Sequence, residues 1–229
     1  MRVPIPPRFH DRIDAGRHLA EALRPYAGRS DLILLGLPRG GVPVAAVVAT
    51  SLRAPLDVFL VRKIGVPGHP EFAMGAIAES GVKVLSTDVI AELGIPQHLV
   101  DETVARERIE LDRRDAAYRG TRRPPSMRDR VVILVDDGLA TGSTMEAAIV
   151  ALRQSKPSRI VAAAPVGARQ TCARLAGLAD EVVCPLTPEP FSAVGQWYDD
   201  FSETSDEEVA GLLDGTSPAS VPRPAGPGS

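Results

Sequence analysis

An uninterrupted apolar run at 131–135 ends at two adjacent carboxylates, Asp136 and Asp137, and a loop of small residues follows them. Five apolar residues are too few for a buried helix, but they match a strand that is covered on both faces of a parallel sheet. The loop contains two glycines, and the apolar spacing after it predicts a helix over about 143–154. The segment therefore indicates a strand, a tight turn and a helix.

The same succession of a short apolar strand and a helix recurs along the chain, which predicts an α/β fold with a mostly parallel central sheet flanked by helices. Ligands bind outside the carboxyl ends of the strands in such sheets. The unusual turns at 37–41, 62–65 and 136–144 all lie at such ends. Strands are expected at 32–35, 56–65, 131–135, 159–166 and 180–184, and helices at 11–26, 42–52, 143–154 and 167–178, with Asp11 as the first N-cap.

Residues 87–130 interrupt this alternation, and we interpret them as a helical insertion in a single domain over 1–213. Most of the insertion is predicted to be one long charged helix. Its arginines alternate with acids and no aromatics are spaced for base stacking, so a solvated helix over the core or in a subunit contact is favoured over a nucleic-acid surface. The Pro/Gly/Ser-rich segment 214–229 is predicted to be a disordered tail. The helix has three expected i,i+4 ion pairs, Glu102–Arg106, Arg108–Asp112 and Glu110–Arg114.

Composition argues against several classes of partner. The 229 residues carry a formal net charge of −3, which gives no global field for binding nucleic acid or an anionic membrane. No apolar run approaches the roughly 18 residues that span a bilayer, and the first residues lack the apolar core of a secretory signal. Cys172 and Cys184 have no CxxC spacing, so we expect small buried thiols in a reducing cytoplasm.

The loop after Asp137 has the composition of an anion site. Its backbone N–H groups, the hydroxyls of Thr141, Ser143 and Thr144, and the N-terminus of the following helix can all point at one phosphate. Asp136 and Asp137 are acceptors that suit a vicinal diol or a Mg²⁺ shell. A phosphate beside a diol describes a ribose 5-phosphate. The alternative is a capped helix after a buried strand, with two exposed acids as ordinary turn residues.

This stretch, VVILVDDGLATGST, resembles the 5-phosphoribosyl-1-diphosphate (PRPP) motif of type I phosphoribosyltransferases, and its DDGLATG is closest to the adenine-type version. The resemblance implies that Asp136 and Asp137 hold the ribose 2- and 3-hydroxyls, and that they bind Mg²⁺ directly or through water. It also implies a 5-phosphate site formed by Ala140, Thr141, Gly142, Ser143 and Thr144.

Further segments match the same family in order. LPRGGVPVA resembles the family's diphosphate loop, which commonly contains a cis non-proline peptide, and 65–81 looks like the mobile loop or hairpin that closes over the diphosphate. With VRKIGVPGHPEFAMGAIAE and FSAVGQWYDDF, these segments resemble a group of stand-alone predicted bacterial phosphoribosyltransferases over about residues 8–213. The resemblance implies a small hood from the chain ends and a homodimer through 88–118. The implied diphosphate site consists of Arg39, Gly40, Gly41 and Lys63.

The implied reaction is a Mg²⁺-dependent transfer of the phosphoribosyl group of PRPP to an acceptor, with release of diphosphate. Arg39, Lys63 and Glu71 are the expected catalytic residues. Ala140 stands where hypoxanthine–guanine enzymes carry an acid, so proton transfer falls to a residue elsewhere. Besides Glu71, the candidates are His69, Glu79, Asp199 and Asp200.

The identity of the acceptor stays open. The aromatic residues of FSAVGQWYDDF form either a platform for a flat, aromatic or nucleobase-like small molecule, or a plug over the sheet edge; Trp197 and Tyr198 are the predicted acceptor contacts. One alternative function is a PRPP or nucleotide sensor without turnover, and another is an enzyme for a different phosphorylated sugar. The lack of a helix-turn-helix pattern or a basic patch favours an enzyme.

Overall fold

The computed structural model describes residues 8–79 and 81–215, except for the side chains of Pro70 and Glu71. Five parallel strands form the central sheet, in the order Leu56–Val58 (β2), Leu32–Gly36 (β1), Val131–Val135 (β6), Arg159–Ala163 (β7) and Glu181–Val183 (β8). An antiparallel sheet contains Val61–Val66 (β3), His69–Ala78 (β4) and Lys83–Leu85 (β5). The helices of the described residues are Arg12–Ala22 (α1), Gly41–Leu52 (α2), Thr87–Glu92 (α3), Gln97–Arg119 (α4), Ser143–Arg153 (α5), Arg169–Leu175 (α6) and Asp206–Gly215 (α7). The predicted α/β fold with a mostly parallel sheet is confirmed.

The middle of the central sheet is covered by helices on both faces. Every residue of β1 and β6 is buried, and their register runs from Leu32 beside Val131 to Gly36 beside Val135. Because successive side chains point to opposite faces, Ile33 and Leu35 pack on the α5 side, whereas Leu32 and Leu34 pack under α1 and α2. This packing fixes the ends of β1 and β6 at one edge.

The prediction of one strand over 56–65 is wrong, because the chain changes sheets in the middle of that segment. The amide of Phe59 donates to the carbonyl of Gly36 in the central sheet at 3.0 Å. The next amide, that of Leu60, donates instead to the carboxylate of Glu79, just beyond β4, at 3.0 Å. The apolar run continues through this change, so its pattern carries no sign of the break.

Three other predicted elements are too long. The helix predicted over 167–178 is confined to α6, Arg169–Leu175, and in the other two a proline lies near the point where the element ends. The helix predicted over 11–26 ends at Ala22, and a short 3-10 helix, Arg24–Tyr26, follows; it contains Pro25, which has no amide to continue the helical ladder. The strand predicted over 159–166 ends at Ala163, two residues before Pro165. Asp11 caps α1 as predicted, because its side chain accepts from the amide of Asp14 at 2.8 Å.

The segment 65–81 is mostly a hairpin, which was one of the two alternatives for it. β3 and β4 pair in antiparallel fashion from Val61 and Ala78 to Val66 and His69, and β5 adds a third strand. The predicted tail starts too early, since α7 continues through Gly215; residues 216–229 lie outside the described part of the chain.

The long charged helix of the insertion is confirmed as α4. Two of its predicted ion pairs form, Arg108–Asp112 at 3.4 Å and Glu110–Arg114 at 2.8 Å, whereas Arg106 contacts Glu107 at 3.7 Å. The buried side of α4 packs against the antiparallel sheet and α7. Within the described residues, no helix is both long and apolar enough to cross a membrane.

A buried arginine joins the two sheets. Arg119, the last residue of α4, has 1% of its side chain exposed. Its guanidinium donates to Asp57 of β2 and to both carboxylate oxygens of Glu79 at 2.8 Å, and to Asp115 at 2.6 Å. Burial raises the pKa of the Glu79 carboxyl, and the charge of Arg119 opposes that shift. Glu79, a candidate for proton transfer, therefore has both oxygens engaged in this cluster.

We expect Arg119→Met to lower the free energy of unfolding by about 3–5 kcal/mol, because it leaves the buried carboxylates of Glu79 and Asp57 uncompensated. Urea unfolding followed by circular dichroism measures this change. Arg108→Met is the matched control on the same helix; its pair with Asp112 is exposed, so its loss should stay below about 1 kcal/mol. Equal losses in the two variants would contradict the role of the cluster.

Candidate active site

The loop between β1 and α2 packs directly on the two carboxylates that follow β6. A Cβ atom on Gly41 would lie 2.9 Å from the Cα of Asp136, and a Cβ atom on Gly40 would lie 2.7 Å from the Cγ of Asp137. Side chains cannot approach so closely, so the contact requires glycine at both positions. The two loops predicted to bind diphosphate and ribose are thus in contact at the carboxyl edge of the sheet.

The two carboxylates are adjacent and enclosed. The amide of Asp137 donates to Oδ1 of Asp136 at 2.9 Å and so orients that side chain. Burial of the Asp136 carboxyl, followed by the charge of Asp137, raises the pKa of Asp136 to about 8. Burial also raises the pKa of Asp137, while the charge of Arg12 opposes the shift. Asp136 can therefore hold a proton at neutral pH.

Arg12 is the cation that compensates this pair, and our sequence analysis missed it. Its Nε and one terminal nitrogen lie 2.9 Å from Oδ2 of Asp137, and only 12% of its side chain is exposed. It also donates to the carbonyl of Ser202 at 2.6 Å and lies 4.1 Å from the centre of the Phe201 ring. The only hint of this role in the nearby sequence is that Arg12 lies in the first turn of α1, where the helix dipole favours acidic residues.

The residues predicted to bind the 5-phosphate form a tight turn into α5. Gly142 has a φ angle of 68°, in the left-handed region that favours glycine, and the helix begins at Ser143. The side chains of Thr141, Ser143 and Thr144 are exposed, and the hydroxyls of Thr141 and Ser143 are 3.2 Å apart. The first amides of a helix have no partner within it, so this turn offers N–H and hydroxyl donors to an anion.

Two side chains of α6 fix this turn. Thr171 donates from its hydroxyl to the carbonyl of Ala140 at 2.5 Å, and Arg174 donates to the carbonyl of Thr141 at 2.5 Å. Arg174 also pairs with Glu146 in the first turn of α5. The sequence analysis identified neither residue, because no spacing rule relates them to carbonyls 31 and 33 residues earlier.

Lys63, predicted to bind diphosphate, lies beside both loops. It lines a cavity of about 610 Å³ together with Pro38 of the first loop and Thr144 of the second. Its position on β3 also places it in the wall of a smaller cavity, of about 430 Å³, which α5 helps to form. The side chain of Glu71, another predicted catalytic residue, lies outside the described part of the chain.

Arg39 follows a cis peptide bond with Pro38, the kind of bond that the resemblance implied for this loop. Its guanidinium pairs with Glu203 and lies 3.9 Å from Asp206 at the start of α7. Its side chain is 37% exposed and that of Glu203 is 77% exposed. The charge of Arg39 is therefore held by an exposed carboxylate in this structure.

The remaining candidates for proton transfer lie in loops or at strand ends. His69 is at the turn end of the β3–β4 hairpin. The carboxylate of Asp199 is 3.9 Å from Arg8, and that of Asp200 accepts from the amide of Ser202 at 2.9 Å, a bond that lowers the pKa of Asp200. These contacts assign no catalytic role to any of the three.

Segments near both ends of the described chain form the expected small hood. Three of its aromatic residues, Phe9, Trp197 and Tyr198, are buried, whereas Phe201 is exposed. The amide of Phe9 donates to the carbonyl of Trp197 at 2.9 Å, and the hydroxyl of Tyr198 donates to the carbonyl of Asp137 at 2.6 Å. Trp197 and Tyr198 are 7% and 4% exposed, and they pack with Phe9 in a separate apolar cluster. This arrangement is the plug rather than the platform, because neither ring presents an open face to an acceptor.

The two acids fit a limited role in binding Mg²⁺. Across the described residues there is no group of three or more His, Cys, Asp or Glu side chains that could hold a metal ion. One oxygen of Asp137 is engaged by Arg12, which leaves few free carboxylate oxygens. Mg²⁺ retains several waters and needs only one or two protein carboxylates when substrate phosphates complete its shell. Asp136 and Asp137 are compatible with that mode.

A parallel sheet that carries paired acids and a small-residue turn into a helix at its carboxyl edge agrees with the resemblance to phosphoribosyltransferases. Residues 8–195 match the family model for the phosphoribosyl transferase domain, and the chain belongs to that family.

Two named relatives agree with this assignment, and a solved structure shares the fold. MT0597 and Rv0571c, from two strains of Mycobacterium tuberculosis and provisionally named phosphoribosyl transferases, are 48% identical over 206 residues, or 90% of this chain. The match spans 46% of those proteins, so this chain covers about half of their length. The crystal structure of TT1426 from Thermus thermophilus is 45% identical, matches 92% of this chain and 99% of its own, and has a TM-score of 0.84.

Asp136 should make the folded protein less stable as the pH rises. Because the pKa of its carboxyl is about 8 in the folded state and near 4 in an unfolded chain, the folded state binds more protons between these values. The free energy of unfolding then falls between about pH 4 and pH 8. Asp136→Asn should remove this part of the pH dependence, as measured by urea unfolding from pH 5 to 9.

Asp101→Asn, at an exposed position of α4, is the control for that series and should leave the pH dependence of the wild type unchanged. If Asp136→Asn showed the same pH dependence as the wild type, the raised pKa of Asp136 would be refuted.

Proposed function

We propose that this protein is a PRPP-dependent phosphoribosyltransferase. An acceptor nucleophile, aromatic or nucleobase-like, attacks C1 of PRPP; its bond to C1 forms as the bond from C1 to the diphosphate oxygen breaks, and diphosphate leaves with the electron pair. The observation that carries the proposal is the contact of Gly40 and Gly41 with Asp136 and Asp137. This contact places the loop that resembles the family's diphosphate loop beside the two carboxylates. The turn into α5 lies at the same edge of the sheet.

Each part of this edge has a role in the proposal. Asp136 and Asp137 accept hydrogen bonds from the ribose 2- and 3-hydroxyls, and the turn at 140–144 donates to the 5-phosphate. Arg39 and Lys63, with the backbone of the loop at 40–41, stabilise the negative charge that develops on the departing diphosphate. A bound Mg²⁺ would supply further positive charge there, with Asp136 and Asp137 as its protein ligands, directly or through water.

The roles in proton transfer and in acceptor binding are proposed from the sequence resemblance. Glu71 stays our candidate for proton transfer, from its place in the segment that the resemblance assigns to closure over the diphosphate. A homodimer through 88–118 and a cytoplasmic location also stay predictions. The buried rings of Trp197 and Tyr198 would bind an acceptor only after the hood rearranges.

Asp136→Asn combined with Asp137→Asn should abolish PRPP binding, because each amide replaces one carboxylate oxygen with an NH₂ donor and the pair can no longer carry the negative charge that the ribose hydroxyls bind. Isothermal titration calorimetry with PRPP and Mg²⁺ measures the affinity. Asp101→Asn combined with Asp112→Asn, which removes two exposed acids of α4, should bind PRPP as the wild type does. An unchanged affinity in the first variant would overturn the ribose assignment.

Turnover distinguishes the enzyme from the alternative, a non-catalytic PRPP or nucleotide sensor on the same fold. The burial of Trp197 and Tyr198 favours the sensor, because the predicted acceptor platform is closed. Release of diphosphate from PRPP should be measured with a panel of purine and pyrimidine bases and aromatic acids. Acceptor-dependent release supports the enzyme, whereas tight PRPP binding without release across the panel supports the sensor.

A further inference from the structure

Helix α4 forms one wall of the 610 Å³ cavity beside Lys63. The cavity reaches Pro38 of the loop after β1 and Thr144 of the phosphate-type turn, so it opens onto the proposed substrate site. Among the described residues that line it, basic side chains outnumber acidic ones by four to one. The charged lining residues are Arg62, Lys63, Arg106, Arg114 and Glu107.

Two acids of α4, Glu107 and Glu110, pair with the three arginines of this wall. Glu107 lies 2.7 Å from Arg62 and 3.7 Å from Arg106, so one carboxylate is shared by two guanidinium groups. Glu110 lies 2.8 Å from Arg114 and 2.9 Å from Arg113, and Arg113 also lies 3.6 Å from Asp206. The wall therefore has an excess of positive charge that faces an enclosed space, where it attracts anions more strongly than an open surface would.

We propose that Arg106 and Arg114 of α4 bind the diphosphate group of PRPP from the side opposite the loop at 38–41. The inference rests on the proposed function, and it extends the substrate site beyond the family motif to the helical insertion. Diphosphate carries several negative charges, and the arginine fork donates two parallel hydrogen bonds to adjacent phosphate oxygens. Arg114 is 30% exposed and Arg106 is 69% exposed, so Arg106 stands nearer the cavity rim.

Titration with inorganic diphosphate in the presence of Mg²⁺ tests this role without a need for turnover. Arg106→Gln and Arg114→Gln should each weaken binding by about three- to tenfold, and the double variant by more than about tenfold, as expected for the loss of charge-assisted hydrogen bonds. Arg108→Gln is the matched control, because Arg108 lies on the same helix, pairs with Asp112 and is not among the lining residues. Its affinity should equal that of the wild type.

The same titration with the Asp136→Asn, Asp137→Asn variant separates this inference from the proposed function. Titrated without Mg²⁺, for which Asp136 and Asp137 are the proposed ligands, that variant should lose PRPP but keep inorganic diphosphate, which has no ribose. If the wild type binds PRPP and diphosphate, and the double arginine variant binds diphosphate as tightly as Arg108→Gln does, the role of α4 is overturned and the proposed function stands. If the wild type binds neither molecule, both are overturned.

Discussion

Asp136 and Asp137 lie where β6 ends at the edge of the sheet, and the contacts that offset their negative charge determine how the chain is arranged there. Burial opposes the ionisation of both, and one guanidinium, from Arg12, reaches Asp137 across 125 residues of sequence. The loop after β1 approaches so closely that no side chain fits at positions 40 and 41. Two buried acids held so close together contribute little to stability. They are well suited to bind a diol, which donates hydrogen bonds to them, or a cation, which offsets their charge.

The same compensation ties the site to the hood. Arg12 holds Asp137 on one side and the carbonyl of Ser202 on the other, and Arg39 is held by Glu203 in the same segment. These two contacts differ in strength. The pair of Arg39 with Glu203 is largely exposed and worth about 0–1 kcal/mol, so an anionic ligand can displace the carboxylate at small cost. The pair of Arg12 with Asp137 is mostly buried, so it holds in position the guanidinium that also donates to the carbonyl of Ser202 in the hood.

The parallel half of the fold could be predicted from sequence because its signal is local: 131–135 is fully apolar and coincides with β6. The change of sheet at 59–60 could not, since the apolar run continues through it. Arg12 and Arg119 were beyond reach for another reason, because they act on Asp137 and Asp57 at separations of 125 and 62 residues, and no spacing rule relates them. The aromatic motif located the hood, but the burial of its rings depends on packing against Phe9 at the opposite end of the chain.

Arg119 gives the proposed diphosphate site a fixed wall. Its guanidinium joins the end of α4 to β2 and to the residue that follows β4, so Lys63 on β3 and the arginines of α4 keep a constant relation to the parallel sheet. Charge that is already in position stabilises a leaving group without reorganisation at the moment of reaction. A buried ion-pair cluster is a weak source of stability compared with apolar packing. The cluster instead fixes the position of the two sheets relative to each other. Glu79, which the sequence suggested as a candidate for proton transfer, is the residue through which Arg119 contacts the antiparallel sheet.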